Sequence, residues 1–123
     1  HAMIVHGDDG LDEISTTAAT KASHLNDDGS IETLSISATD YGFEVAALDD
    51  LKGGIPEENA EIVTNILNGS DTGKKADIVI LNAAAGIFVG GKADSIKEGI
   101  GTAREVISSG AAMNVLQELA AVK

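Results

Sequence analysis

The chain has 123 residues, 43% of them hydrophobic but only 2% aromatic, so it suits one domain with a core of Ala, Val, Ile and Leu. Twenty acidic residues against eight basic ones give a net charge of -12, which argues against nucleic-acid binding by phosphate neutralisation. The absence of cysteine excludes disulfides and zinc–thiolate sites and fits a cytoplasmic protein. No apolar run reaches the ~18 residues needed to cross a membrane.

Ala2 to Val5 reads as a buried strand. It leads into Val5-His6-Gly7-Asp8-Asp9-Gly10-Leu11-Asp12-Glu13-Ile14-Ser15, a glycine-rich acidic loop at one end of a sheet. That is where open α/β sheets bind ligands. Lys21 to Leu25 and Ile31 to Ser37 flank Asn26-Asp27-Asp28-Gly29-Ser30, a hairpin signal. In the second arm Leu34 and Ile36 alternate with Thr33, Ser35 and Ser37, the period of a half-buried strand.

Asp40 to Gly54 is turn-rich, with a short helical turn expected at Ala47 to Leu51. Pro56 suits the first position of a helix. Ile62, Val63, Ile66 and Leu67 give that helix one apolar face, and Gly69 ends it. Ile78 to Leu81 is ambiguous: its β-branched residues favour a strand, whereas the alanine-rich continuation Asn82 to Ala85 favours a helix. Ser95-Ile96-Lys97-Glu98 is a capping-box pattern, followed by the stripe Ile96, Ile100, Ala103 and Ile107 at helical spacing. Gly99 and Gly101 weaken that helix by about 1 kcal/mol each relative to Ala, a cost that close approach of another backbone would explain. Gly110 breaks the chain before a last helix bearing Val115, Leu116 and Leu119.

The candidate site is the acidic loop. Asp12 and Glu13 are adjacent hard oxygen ligands, suited to Mg²⁺ and the phosphate groups it carries. Neighbours on a regular strand point to opposite faces, so the two converge on one cation only where the backbone turns. The plainer alternative is a solvated loop or the start of a helix. His6 reads as a hydrogen-bonded structural residue at the strand end, and Asp8 and Asp9 as residues that shape the loop. Gly7 and Gly10 supply backbone freedom. Lys52-Gly53-Gly54 lacks Walker spacing and reads as a turn. Asn82, in an apolar segment, is expected to hydrogen-bond a neighbouring loop. His1 and His24 have no partner at metal-ligand spacing, and no serine sits in a nucleophile elbow.

The segment from Val5 to Ser15 resembles the Asp-Glu metal motif of anthranilate phosphoribosyltransferases. The resemblance continues through Tyr41-Gly42-Phe43, Leu51-Lys52-Gly53-Gly54, Glu58-Asn59-Ala60 and Leu81-Asn82-Ala83-Ala84-Ala85. It extends to Lys97-Glu98-Gly99, Ala103-Arg104-Glu105 and Ser109-Gly110, in the order and rough spacing of that family. It implies an α/β fold, a small sheet with a β-hairpin followed by several packed helices, and a buried helix over Ile78 to Ala85. It also implies that residues 1–123 are the carboxy-terminal portion of a longer enzyme, without its amino-terminal helical domain and the first half of its α/β domain.

By the same resemblance Asp12 and Glu13 hold Mg²⁺, the substrates are phosphoribosyl pyrophosphate and anthranilate, and the intact enzyme is a homodimer in tryptophan biosynthesis. No covalent catalytic residue is implied. The family's Gly-Thr-Gly-Gly-Asp loop, its Lys-His-Gly-Asn segment and its anthranilate-contacting arginine region do not occur here, so the chain alone is expected to be inactive. Two rival readings remain: a pyrimidine nucleoside phosphorylase-like enzyme, and a non-catalytic binding or assembly module on the same scaffold.

Overall fold

The computed structural model describes residues 1–122. Three strands form one antiparallel sheet in chain order, β1 (Ala2–Gly7), β2 (Thr20–Leu25) and β3 (Ile31–Ile36). The hairpin and the first strand are where the residue pattern puts them, but the first strand is not buried as expected: Ile4 is 75% exposed, because only one face of the sheet packs against the helices. Register places Val5 opposite Ala22 and Ala22 opposite Leu34, and Gly7, Thr20 and Ile36 two residues on, in the next row of the same face. Directly opposed residues share a face, so one face carries Val5, Ala22 and Ile36 towards the helices. Gly29 closes the hairpin with φ at +83°, a left-handed conformation that favours glycine.

Among the described residues four helices follow: α1 (Pro56–Leu67), α2 (Lys74–Val89), α3 (Ile96–Ser108) and α4 (Ala111–Ala120). Short 3-10 turns at Ala38–Tyr41 and Leu48–Leu51 shape the connection from β3 to α1. α2 settles the ambiguity at Ile78 to Leu81 in favour of a helix. It is 16 residues long, and Ala76, Ile78, Leu81, Ala84 and Ala85 are its buried residues. Leu81 is fully buried and packs with Ile14, Ala22, Ile36, Ile96 and Ile100 in one core. Burying a side chain of this size stabilises by about 1.5–3 kcal/mol.

The capping pattern at Ser95 forms with one change. The Ser95 hydroxyl accepts from the Glu98 N–H at 3.1 Å, but the Glu98 carboxylate accepts from the Asp94 N–H at 2.8 Å, not from that of Ser95 itself. Gly99 does mark a close approach: a Cβ there would lie 2.5 Å from the Ala84 carbonyl oxygen on α2. Gly101, with nothing within 4 Å of a notional Cβ, does not.

Two expected apolar faces are less buried than their spacing suggests. On α1 only Ile66 is buried. On α4 no residue is, and Val115 and Leu119 are 64% and 68% exposed. Periodicity reports that a helix has an apolar side but not that a partner covers it. Among the described residues no helix is long and apolar enough to cross a membrane.

Candidate functional site

The loop from Asp8 to Ala19 joins β1 to β2. Its first half is a tight turn. The Gly10 N–H donates to the Gly7 carbonyl at 2.9 Å and the Gly7 N–H to the Leu11 carbonyl at 2.8 Å. Gly10 adopts φ of +92°, so it supplies the backbone freedom expected of it. Gly7 matters for a different reason. It is buried with φ outside the left-handed range, and a Cβ there would collide with the Asp9 carboxylate.

Asp9 is the hub of the loop. Its carboxylate accepts from the Leu11 N–H at 3.1 Å, from the Ser15 hydroxyl at 2.5 Å and from the Thr17 hydroxyl. The Ser15 hydroxyl oxygen in turn accepts from the Thr17 N–H at 2.9 Å. Partial burial pushes the Asp9 carboxyl up, but the hydrogen bonds from Ser15, Thr17 and Leu11 together outweigh it and hold the group below its ordinary value. The sign follows from linkage. A folded-state value below the unfolded one gives stability that is present above the ordinary carboxylate value of about 3.9. That stability is lost as pH falls through the depressed value. Replacing Asp9 by Asn is therefore expected to lower stability at neutral pH and to flatten its decline below about pH 4, checked by urea midpoints of both proteins across that range.

The second anchor comes from α2. Asn82 uses its side-chain amide as a short strand would: its Oδ1 accepts from the Ile14 N–H at 2.8 Å and its Nδ2 donates to the Ile14 carbonyl at 2.8 Å. Nδ2 also donates to the Ile78 carbonyl at 2.9 Å within α2. The Ile14 side chain is fully buried. The expected bond from Asn82 to a neighbouring loop thus exists, and its target is the residue after Glu13. Asn82→Ala leaves both polar backbone groups of Ile14 unpaired, so it is expected to cost about 2–3 kcal/mol. Urea unfolding and faster amide exchange at Ile14 are the readouts.

Between these anchors stand Asp12 and Glu13. Both are exposed. Leu11 is held on one side by Gly7 and Asp9, and Ile14 on the other by Asn82. Among the described residues neither carboxylate has a hydrogen-bond or ion-pair partner; the ion pairs are Lys52 with Asp49 and Lys74 with Glu44. Two carboxylates therefore face solvent on a span fixed at both ends. No group of three or more His, Cys, Asp or Glu side chains that could hold a metal forms among the described residues. A small, strongly hydrated cation fits the donor set: Mg²⁺ is usually bound through one or two carboxylates, with waters and substrate phosphates completing its shell.

His6 is exposed at the end of β1 and its side chain has no hydrogen bond to another described residue. Asp8 is exposed, and its backbone N–H donates to the Ala19 carbonyl at 2.8 Å. Lys52-Gly53-Gly54 is a turn held by Asn59, whose side chain accepts from the Gly54 N–H at 2.8 Å and donates to its carbonyl at 2.9 Å. His1 and His24, without a partner by sequence spacing, meet across β1 and β2 with their Nε2 atoms 2.7 Å apart, and both rings pack on Phe88. Antiparallel register, which pairs Met3 with His24, is what brings them together.

Residues 1–113 match the glycosyl transferase family, a/b domain. The chain is 47% identical over 118 residues to the anthranilate phosphoribosyltransferase of Petrotoga mobilis, covering 96% of this chain and 34% of that protein. It is 49% identical over 117 residues to the one from Acetivibrio thermocellus, covering 95% and 33%. The solved structure of the Thermus thermophilus enzyme superposes with a TM-score of 0.85 at 36% identity, over 95% of this chain and 34% of that one. The Saccharomyces cerevisiae enzyme in complex with phosphoribosyl pyrophosphate and Mg gives 0.82 at 30% identity, over 94% and 33%. The chain spans about a third of the length of the curated relatives it matches. The family resemblance of the chain and its α/β architecture are both borne out: the chain belongs to the glycosyl transferase family, whose a/b domain its residues 1–113 match.

Proposed function

We propose that residues 1–123 are the carboxy-terminal portion of an anthranilate phosphoribosyltransferase, and that Asp12 and Glu13 hold the Mg²⁺ of phosphoribosyl pyrophosphate. The observation that carries this reading is the pair itself: two exposed, unpartnered carboxylates on a loop clamped at Leu11 and Ile14. The level of identity to two curated anthranilate phosphoribosyltransferases supports the same assignment.

In the proposed reaction the amino nitrogen of anthranilate displaces pyrophosphate from C1 of the ribose. When bound, Mg²⁺ supplies neutralisation of the charge that builds on the leaving pyrophosphate and orients it. The chain's own part is positional. Asp12 and Glu13 offer carboxylate oxygens to the cation, the Asp9 hub keeps the turn closed, and Asn82 fixes where the pair ends. Holding reactants in line supplies much of the remaining acceleration. No residue here is assigned as a nucleophile. The acceptor-binding and phosphoribosyl-binding elements belong to upstream segments, so the chain alone is inactive under this reading. We place the intact enzyme in tryptophan biosynthesis, as a cytoplasmic homodimer.

The test joins this chain to the upstream two-thirds of the Petrotoga mobilis enzyme and follows anthranilate fluorescence with phosphoribosyl pyrophosphate and Mg²⁺. Steady loss is expected, slowed about 100-fold or more in the Asp12→Asn/Glu13→Gln variant because transition-state charge loses its counter-charge. Equal rates in both would remove the metal pair from the mechanism. A folded chimaera without turnover would favour the non-catalytic scaffold.

A further inference from the structure

A large cavity lies away from the acidic loop. It occupies about 480 Å³ where the end of α1, the first turns of α2 and the last turns of α3 meet. It shares no lining residue with the loop from Asp8 to Ala19. Its size falls in the range of small-molecule pockets. Ile66, Ile80 and Ile107 give it an apolar wall, and Asp77 and Arg104 are its charged groups of opposite sign along with Asp71.

The polar side chains of the wall differ in whether they are already engaged. Asp71 accepts from the Gly73 N–H at 2.8 Å, Asn68 accepts from the Ser70 N–H at 2.9 Å, and Ser108 donates to the Glu105 carbonyl at 3.1 Å. Among the described residues the side chains of Asp77 and Arg104 have no hydrogen-bond partner, and no ion pair within 4.0 Å joins either to another residue. Lys74, the other cation near Asp77, is committed to Glu44 at 2.8 Å. The Arg104 guanidinium stands 5.5 Å over the Phe43 ring. Burial pushes the Asp77 carboxyl up despite the nearby Lys74 and Arg104, so its charge is under-compensated.

An anion in this cavity would meet Arg104 but be repelled by Asp77 and Asp71. A simple cation would meet Asp77 and Asp71 but be repelled by Arg104, and an uncharged ligand would engage neither charge. We infer that the cavity between α1, α2 and α3 binds a small zwitterion with an apolar side chain, an apolar α-amino acid. Its ammonium pairs with Asp77, its carboxylate with Arg104, and its side chain lies on the isoleucine wall.

Amide NMR titration of the chain with L-leucine tests this, alongside isopentylamine, which lacks the carboxylate, and isocaproate, which lacks the ammonium. Saturable shifts at the lining residues are expected with L-leucine. The amine and the acid should each bind about tenfold more weakly or worse, the equivalent of one lost charge-assisted hydrogen bond. Arg104→Gln should weaken L-leucine by a similar factor and leave the amine unchanged. Asp77→Asn should weaken L-leucine and not the acid. Either absence of saturable shifts with L-leucine, or isocaproate binding as tightly as L-leucine, overturns the proposal.

Discussion

Gly99→Ala is expected to destabilise the chain by about 1–3 kcal/mol net, although alanine is the better helix former by about 1 kcal/mol. Steric overlap decides the sign. A Cβ at position 99 would sit 2.5 Å from the Ala84 carbonyl oxygen and 3.0 Å from its Cα. Both are backbone atoms of α2 and cannot swing aside as a flexible side chain would. α2 and α3 would have to separate, which opens the core around Leu81, Ile96 and Ile100. Gly101 is the internal control. It lies on the same helix with nothing within 4 Å of its notional Cβ, so Gly101→Ala should stabilise by up to about 1 kcal/mol. Urea midpoints of the two variants should therefore move in opposite directions. A downward shift in both would mean that helix propensity and the α2 contact are not the governing terms.

Leu81→Ala is expected to cost about 2–5 kcal/mol, the lost transfer energy plus the cavity left behind. Leu81 is fully buried, in the core that α2 shares with the sheet and α3. Core side chains are close-packed and collapse only partly into a void. The comparison is Val115→Ala on α4. Val115 is 64% exposed, and the change should stay within about 0.5 kcal/mol. Denaturant unfolding with an unchanged slope checks both.

How much of this was legible in the residues depends on the range of the interaction concerned. The hairpin was readable because Asp28-Gly29 and the alternation of Leu34 and Ile36 are local signals, and the structure pairs β2 with β3 around them. Pro56 and Ser95 marked helix starts for equally local reasons. Ile78 to Leu81 was not decidable locally, because four apolar residues satisfy a strand and a buried helix alike. Burial of Ile78, Leu81 and Ala85 on the core side of one helix, with Val79 left exposed, is a tertiary outcome. The same limit applies to α4: Val115 and Leu119 lie at helical spacing, but spacing says nothing about a covering partner.

At the site, Asp12, Glu13 and the turn at Gly10 could be picked out from composition and order. What fixes them could not. The anchor on Ile14 comes from Asn82, 68 residues further along, and an amide in an apolar run names no partner. Likewise His1 and His24 meet through strand register. Asp9 and its bonds to Ser15 and Thr17 lie within eight residues, and only the general role of shaping the loop was readable there.

The most direct test of the Asp12–Glu13 assignment is Mn²⁺-induced broadening of the amide NMR signals of this chain. Mn²⁺ stands in for Mg²⁺, and phosphoribosyl pyrophosphate is present to complete the coordination shell. Broadening centred on Leu11 to Ile14, abolished by Asp12→Asn/Glu13→Gln while the rest of the spectrum is unchanged, is the expected result. Broadening centred instead on Asp27-Asp28 or Asp49-Asp50, or equally strong at Leu11 to Ile14 in the double variant, would contradict the assignment of these two carboxylates as the metal ligands.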